Sequence, residues 1–207
     1  MKGSSRVARD LTPSTLAGKN LAHYRLLLPL YNEEDDVYSR WSAFLPSAVE
    51  SIEPLRNIDL YGLRYSVSEV GKDMDGWDSA RGRVSKIFAK SFREALEEFV
   101  PSRATWTLRR WLGYRHDLPD ATPVIIGDLS YSQEILKFDH MEESINELGM
   151  PEYMFDSTRQ FGWGAPLFPD WGVATMSVAN YIRHFAPRGF ETFSVPSNAP
   201  LPDNLGD

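Results

Sequence analysis

Between residues 21 and 195 the apolar positions switch repeatedly between a spacing of two and a spacing of three to four. Residues 24–28 are a short apolar run stopped by Pro29, which predicts a buried strand. The acidic cluster at 33–36 suits a helix N-terminus, where carboxylates meet the positive end of the helix dipole. Val37, Trp41, Phe44, Leu45, Ala48, Val49 and Ile52 then recur at three and four, predicting an amphipathic helix that Pro46 kinks or restarts. Tyr61, Leu63, Tyr65 and Val67 alternate with Gly62, Arg64, Ser66 and Ser68, the pattern of a strand with one wet face.

The clearest helical stripe runs over about 78–100, from Ala80 and Val84 through Phe88 and Phe92 to Leu96 and Phe99, with Asp78 as its expected cap and Pro101 beyond its end. Residues 123–127 predict a short buried strand. Ile135, Met141, Ile145 and Leu148 predict a helix stopped at Gly149 and Pro151. Ala174, Val178, Tyr181, Ile182 and Phe185 predict another, closed by Pro187 and Gly189, and the alternation over 190–195 predicts an edge strand. These elements predict an α+β fold, four or five amphipathic helices packed on a small sheet of short strands, with α/β second. The globular part spans 21–195. Polar segments at 1–20 and 196–207 flank it as extended arms.

Composition narrows the function classes. The chain has 207 residues, 42% of them hydrophobic and 13% aromatic, a net charge of -7 and no cysteine. Disulfide frameworks, thiolate metal sites and cysteine nucleophiles are therefore excluded. No apolar run approaches the ~20 residues needed to span a bilayer. The first residues lack the apolar core of a signal peptide, which predicts an intracellular or virion location rather than secretion by such a signal.

The net charge hides two blocks of opposite sign. Over 81–115 nine Arg and Lys residues face three Glu, a net +6, and over 139–156 six Asp and Glu residues stand without a single Lys or Arg. They are either solvated helix faces or complementary surfaces through which one copy meets another. Trp106, Trp111 and Tyr114 interleave with Arg103, Arg109, Arg110 and Arg115, a mixture that stacks bases and neutralises phosphates in single-stranded nucleic-acid sites. The other reading puts both tryptophans in the core and lets the arginines cap a helix end. Segment 161–172, with Trp163, Phe168 and Trp171, is aromatic and turn-rich, so its rings either plug the core, as expected of Trp163 and Phe168, or form a contact loop.

The usual catalytic signatures are absent: no phosphate-cradling loop, dinucleotide fingerprint, zinc-protease helix or nucleophile elbow is present. His140, Glu143 and Glu147 share a helix spacing that suits metal ligation, but an exposed acidic helix has the same pattern. Asp73, Asp75 and Asp78 depart from a calcium loop at Gly76 and at the twelfth position. No cofactor or metal is predicted.

Residues 26–34, Leu-Leu-Leu-Pro-Leu-Tyr-Asn-Glu-Glu, resemble the first strand and loop of inverting nucleotide-sugar glycosyltransferases. Asp75-Gly76-Trp77-Asp78-Ser79 is similar to their Asp-Gly-Ser turn, and residues 124–129 to the strand that ends in their metal-binding Asp-x-Asp. The resemblance implies that Glu33 and Asp75 contact the nucleotide and that Asp128 helps to hold a divalent ion on the diphosphate. Ile126 stands where the first metal-binding Asp belongs, and residues 66–72 are more polar than the buried central strand of that fold.

The reading the sequence favours is a non-enzymatic structural or assembly subunit, most concretely a viral capsid or virion component. It associates with copies of itself or other subunits through Arg103, Trp106, Arg109, Arg110, Trp111, Arg115, Glu142, Glu143, Glu147, Trp163 and Trp171. A glycosyltransferase-like enzyme is the alternative. A single-stranded nucleic-acid-binding or adaptor domain, using the 81–115 block or the basic arm, is the third.

Overall fold

The computed structural model describes residues 21–114, 121–126, 129–167 and 169–196; the expected arm at 1–20, the expected arm at 196–207 apart from Pro196, and Arg115, Gly127, Asp128 and Phe168 lie outside them. The first apolar run is a strand, as its pattern predicts: β1 (Ala22–Leu27). It sends Tyr24 and Leu26 into one core and Leu27 into a second on its other face, which is why consecutive positions are apolar.

β1 lies between β11 (Thr192–Val195) and β10 (Trp171–Met176). The sheet then continues through β9 (Gly162–Gly164), β8 (Tyr153–Asp156), β5 (Thr105–Trp111) and β7 (Leu129–Lys137) to β6 (Thr122–Ile126). All eight strands pair antiparallel. A second sheet has β2 (Leu30–Asn32) between β3 (Val37–Ser39) and β4 (Trp77–Ser79). The helices are α1 (Leu60–Glu69), α2 (Lys86–Glu97), α3 (Phe138–Leu148) and the single turn α4 (Val178–Asn180). The expectation of helices packed on a small sheet is thus overturned: a large antiparallel sheet dominates, and the helices cover parts of it.

α2 and α3 cover one face, where Phe92, Leu96, Met141 and Ile145 pack with Trp106, Leu108, Met154 and Trp163. The opposite face at the β1 end is covered by Trp41, Leu55 and α1, through Leu63 and Val67, against Leu27, Trp171, Val173 and Phe193. Trp163 lies across β10 at Gly172, where any Cβ would come within 2.3 Å of the indole. Glycine is required there by close approach.

Several predicted elements change identity. Residues 33–36 form the turn from β2 to β3, because Asn32 Oδ1 accepts the N–H groups of Glu34 and Asp35 at 3.0 and 3.2 Å. The expected helix over 37–52 is β3 followed by one 3-10 turn, Trp41–Phe44. Its first N–H groups, Trp41 and Ser42, donate to the Glu191 carboxylate at 3.0 and 2.7 Å, a cap supplied from the far end of the chain. The strand expected over 61–68 is α1: Asp59 accepts from the Gly62 N–H at 2.6 Å, and Leu63 and Val67, four apart, form the buried side. α2 begins eight residues after Asp78, with Ser85 as its cap. Ile135 belongs to β7 and Ala174 to β10, whereas Met141, Ile145 and the Gly149 stop (φ 79°) behave as expected. The strand expected over 123–127 is present as β6, but at the sheet edge and with Ile125 75% exposed. The edge strand at the end of the pattern is β11.

Candidate functional site

Between the small sheet and the last turn of α3 lies a cleft of about 750 Å3. Its residues come from segments far apart in sequence. β2 and β4 contribute the half-buried rings of Tyr31 and Trp77, the β2–β3 turn Glu33 and Glu34, α1 Arg64, and the loop after β4 Arg81 and Arg83. That loop turns through two left-handed positions, Arg81 (φ 50°) and Gly82 (φ 86°). It is pinned by bonds from the Gly82 N–H to Pro169 O (2.8 Å) and from the Met150 N–H to Gly82 O (2.7 Å). α3 contributes Glu147 at its end, and the base is formed by Arg110 and Glu152.

Arg110 is the unusual member, 2% exposed although charged. From β5 it reaches the C-terminus of α3, donating to Gly149 O at 2.6 Å, Ser144 O at 3.2 Å and Ser144 Oγ at 3.0 Å. It also reaches Leu148 O at 3.4 Å, a carbonyl left over by the last helical turn, at the negative end of the dipole. Its Nε lies 3.7 Å from the Glu134 carboxylate. Burial lowers its pKa to about 10, opposed by the charges of Glu134 and Glu152. Glu152, 1% exposed, accepts the Trp111 N–H at 2.8 Å. The reading in which Trp106 is core and an arginine caps a helix end is therefore the one realised at Trp106 and Arg110.

The remaining predicted residues do not gather into one surface. Arg109 leaves β5 on the face opposite Arg110, donates to Gln133 Oε1 at 2.8 Å and lies over the Phe155 ring at 5.5 Å. Trp111 packs at the end of that face against Tyr131 and Tyr153. Arg103 is exposed in the approach to β5. Trp163 and Trp171 are buried in the first and second cores, so Trp163 plugs the interior as expected. Glu142 pairs with Arg93 of α2 at 2.6 Å, and Arg93 also pairs with Glu97. One contact between the opposed charge blocks is thus made inside the chain. Glu143 is exposed 3.9 Å from His140, and of the acidic block Glu147 and the buried Glu152 reach the cleft.

Among the described residues no group of three His, Asp or Glu side chains is placed to hold a metal ion, which removes both His140, Glu143 and Glu147 and Asp73, Asp75 and Asp78 as ligand sets. Of the residues implied by the glycosyltransferase resemblance, Glu33 lines the cleft, while Asp75 lines an adjoining hollow beside α1 that shares Arg64 and Gly76 with it. Where that fold needs a buried central strand, residues 66–69 are helix, and the sheet is antiparallel.

Tyr31, Arg64, Trp77 and Glu134 did not stand out as site residues in the sequence. Tyr31 and Trp77 are brought together by the pairing of β2 with β4, Glu134 meets Arg110 across β5 and β7, and Arg64 comes from α1, so no local spacing links the four. No protein-family model matches the chain, and no curated protein and no solved structure matches it significantly.

Proposed function

We propose that the protein is a non-enzymatic assembly subunit that associates with copies of itself, seating a charged segment of one copy in the cleft of the next. The observation that supports this is the set of charges around the cleft. Arg64 is consumed by Asp78 at 3.4 Å, but Arg83, Glu33, Glu34 and Glu147 form no salt bridge among the described residues. Charges of both signs beside two half-buried aromatic rings suit a polar protein segment better than an apolar small molecule. A contact in which one patch meets a different patch on the next copy is heterologous and either closes into a ring or extends into a lattice. A viral shell is the most concrete assembly of this kind, placing the protein in the cytoplasm or in a virion. Among the described residues no helix is long and apolar enough to cross a membrane.

Sedimentation equilibrium or native mass measurement of the full chain tests the proposal. Wild-type protein is expected to form multiples of the chain at micromolar concentration. The double variant Arg83→Glu/Glu147→Lys, both at exposed positions, is expected to move toward monomer while keeping the far-ultraviolet spectrum and a cooperative thermal transition of the folded chain. A monomeric wild type, or a variant that assembles as well as wild type, overturns it.

A further inference from the structure

A second, smaller cavity of about 220 Å3 lies where the first turn of α2 meets the segment leading into β11. Its apolar part is made by Phe88 and Phe190, whose rings meet edge to face at 5.3 Å, with Pro29 beside them and Ile87, 79% exposed, at the lip. Its polar rim carries Arg40, Arg188 and Glu191, the last with its carboxylate turned to the Trp41 and Ser42 N–H groups. Arg188 is occupied, donating to His184 O at 2.6 Å and lying 3.9 Å from Glu98. The Arg40 guanidinium lies against Gly189, where an added Cβ would come within 3.1 Å of it, and has no hydrogen bond or salt bridge among the described residues. A small apolar pocket walled by two phenylalanine rings, with one available guanidinium at its mouth, suits an aliphatic side chain followed closely by a carboxylate.

The chain carries that pattern twice near its end, as Leu201-Pro202-Asp203 and Leu205-Gly206-Asp207, and residues 196–207 contain no Lys or Arg. β11 also runs away from the cavity: Thr192 pairs with Leu26 near it, and Val195 pairs with His23 at the other end of β1. Three residue steps of strand take the chain about 10 Å from its own cavity.

We infer that this cavity receives a Leu-x-Asp segment from residues 201–207 of a second copy, with the leucine on Phe88 and Phe190 and the aspartate on Arg40. The inference rests on the assembly reading but uses a different surface from the cleft.

The test combines a peptide and a charge exchange. A fluorescent peptide of residues 199–207 is titrated into full-length protein, and binding is expected to weaken about tenfold, ~1.4 kcal/mol, in Arg40→Glu and again in Ile87→Asp. Both sites are exposed. Full-length Arg40→Glu and Asp203→Arg/Asp207→Arg are each expected to assemble poorly alone and to recover when mixed. If wild type assembles while the variants assemble equally well and the peptide does not bind, this inference falls and the cleft reading stands. If the peptide binds but wild type is monomeric, the segment serves its own chain and the second-copy assignment is overturned together with the cleft reading.

Discussion

His23 shows what burial does to a single titratable group. On β1 it is 5% exposed, with Nδ1 2.9 Å from Thr175 Oγ1 on β10, and burial lowers its pKa from 6.5. The folded protein therefore holds the ring neutral under conditions in which the unfolded chain takes up a proton. Its contribution to stability is complete above about pH 6.5 and is lost as the pH falls below that toward the folded pKa. The thermal midpoint of wild type is expected to drop between pH 7 and pH 5, and His23→Gln to drop less over the same interval. Parallel curves for the two proteins would remove His23 as the source. Arg110 is the complementary case, a charge kept inside because three acceptors at the end of α3 and two carboxylates surround it. That an arginine beside Trp106 would cap a helix end was legible as an alternative. Which helix it caps was not, since α3 begins 28 positions later and meets β5 only through the tertiary fold.

At the scale of elements, the start of α2 separates local pattern from actual geometry. Asp78 is a good capping residue, but its backbone pairs with Tyr31 in β4, and the left-handed turn at Arg81 and Gly82 intervenes before the helix. Ser85 Oγ instead accepts the Phe88 N–H at 3.1 Å. Ser85→Ala is expected to lower stability by about 1 kcal/mol, and Asp78→Ala by a few tenths at most, since its exposed pair with Arg64 carries little. Urea midpoints check the order, and a larger loss at Asp78 would contradict it. Apolar runs and stops were readable where one element owned its whole pattern, as in β1, β11 and the Gly149 end of α3. They misled where two elements divide one pattern, as with Ile135 in β7 and Met141 in α3. They also misled at α1, where alternation of period two contains the i, i+4 pair Leu63 and Val67. The cleft was legible only in fragments, because its walls come from two sheets, a helix end and a turn with no common motif.

At the scale of the molecule, two cores share one sheet. Leu26 and Leu27 are neighbours on β1 and point into opposite cores, so neither core can come apart while the other keeps the strand in place. Leu26→Ala and Leu27→Ala are each expected to cost ~2–5 kcal/mol. Each should shift the far-ultraviolet and tryptophan near-ultraviolet transitions in urea by the same amount, with Trp106 and Trp163 reporting on one core and Trp41 and Trp171 on the other. Separated transitions in either variant would show that the cores unfold independently. Pro123 adds a constraint at the far border of the same sheet. A strand joining β6 from outside would find no N–H at that position, and exposed hydrophobic borders of this kind are where chains otherwise stack without limit. The proline thus sets a limit on fibre growth by strand addition, which along this border would be interrupted at its second residue.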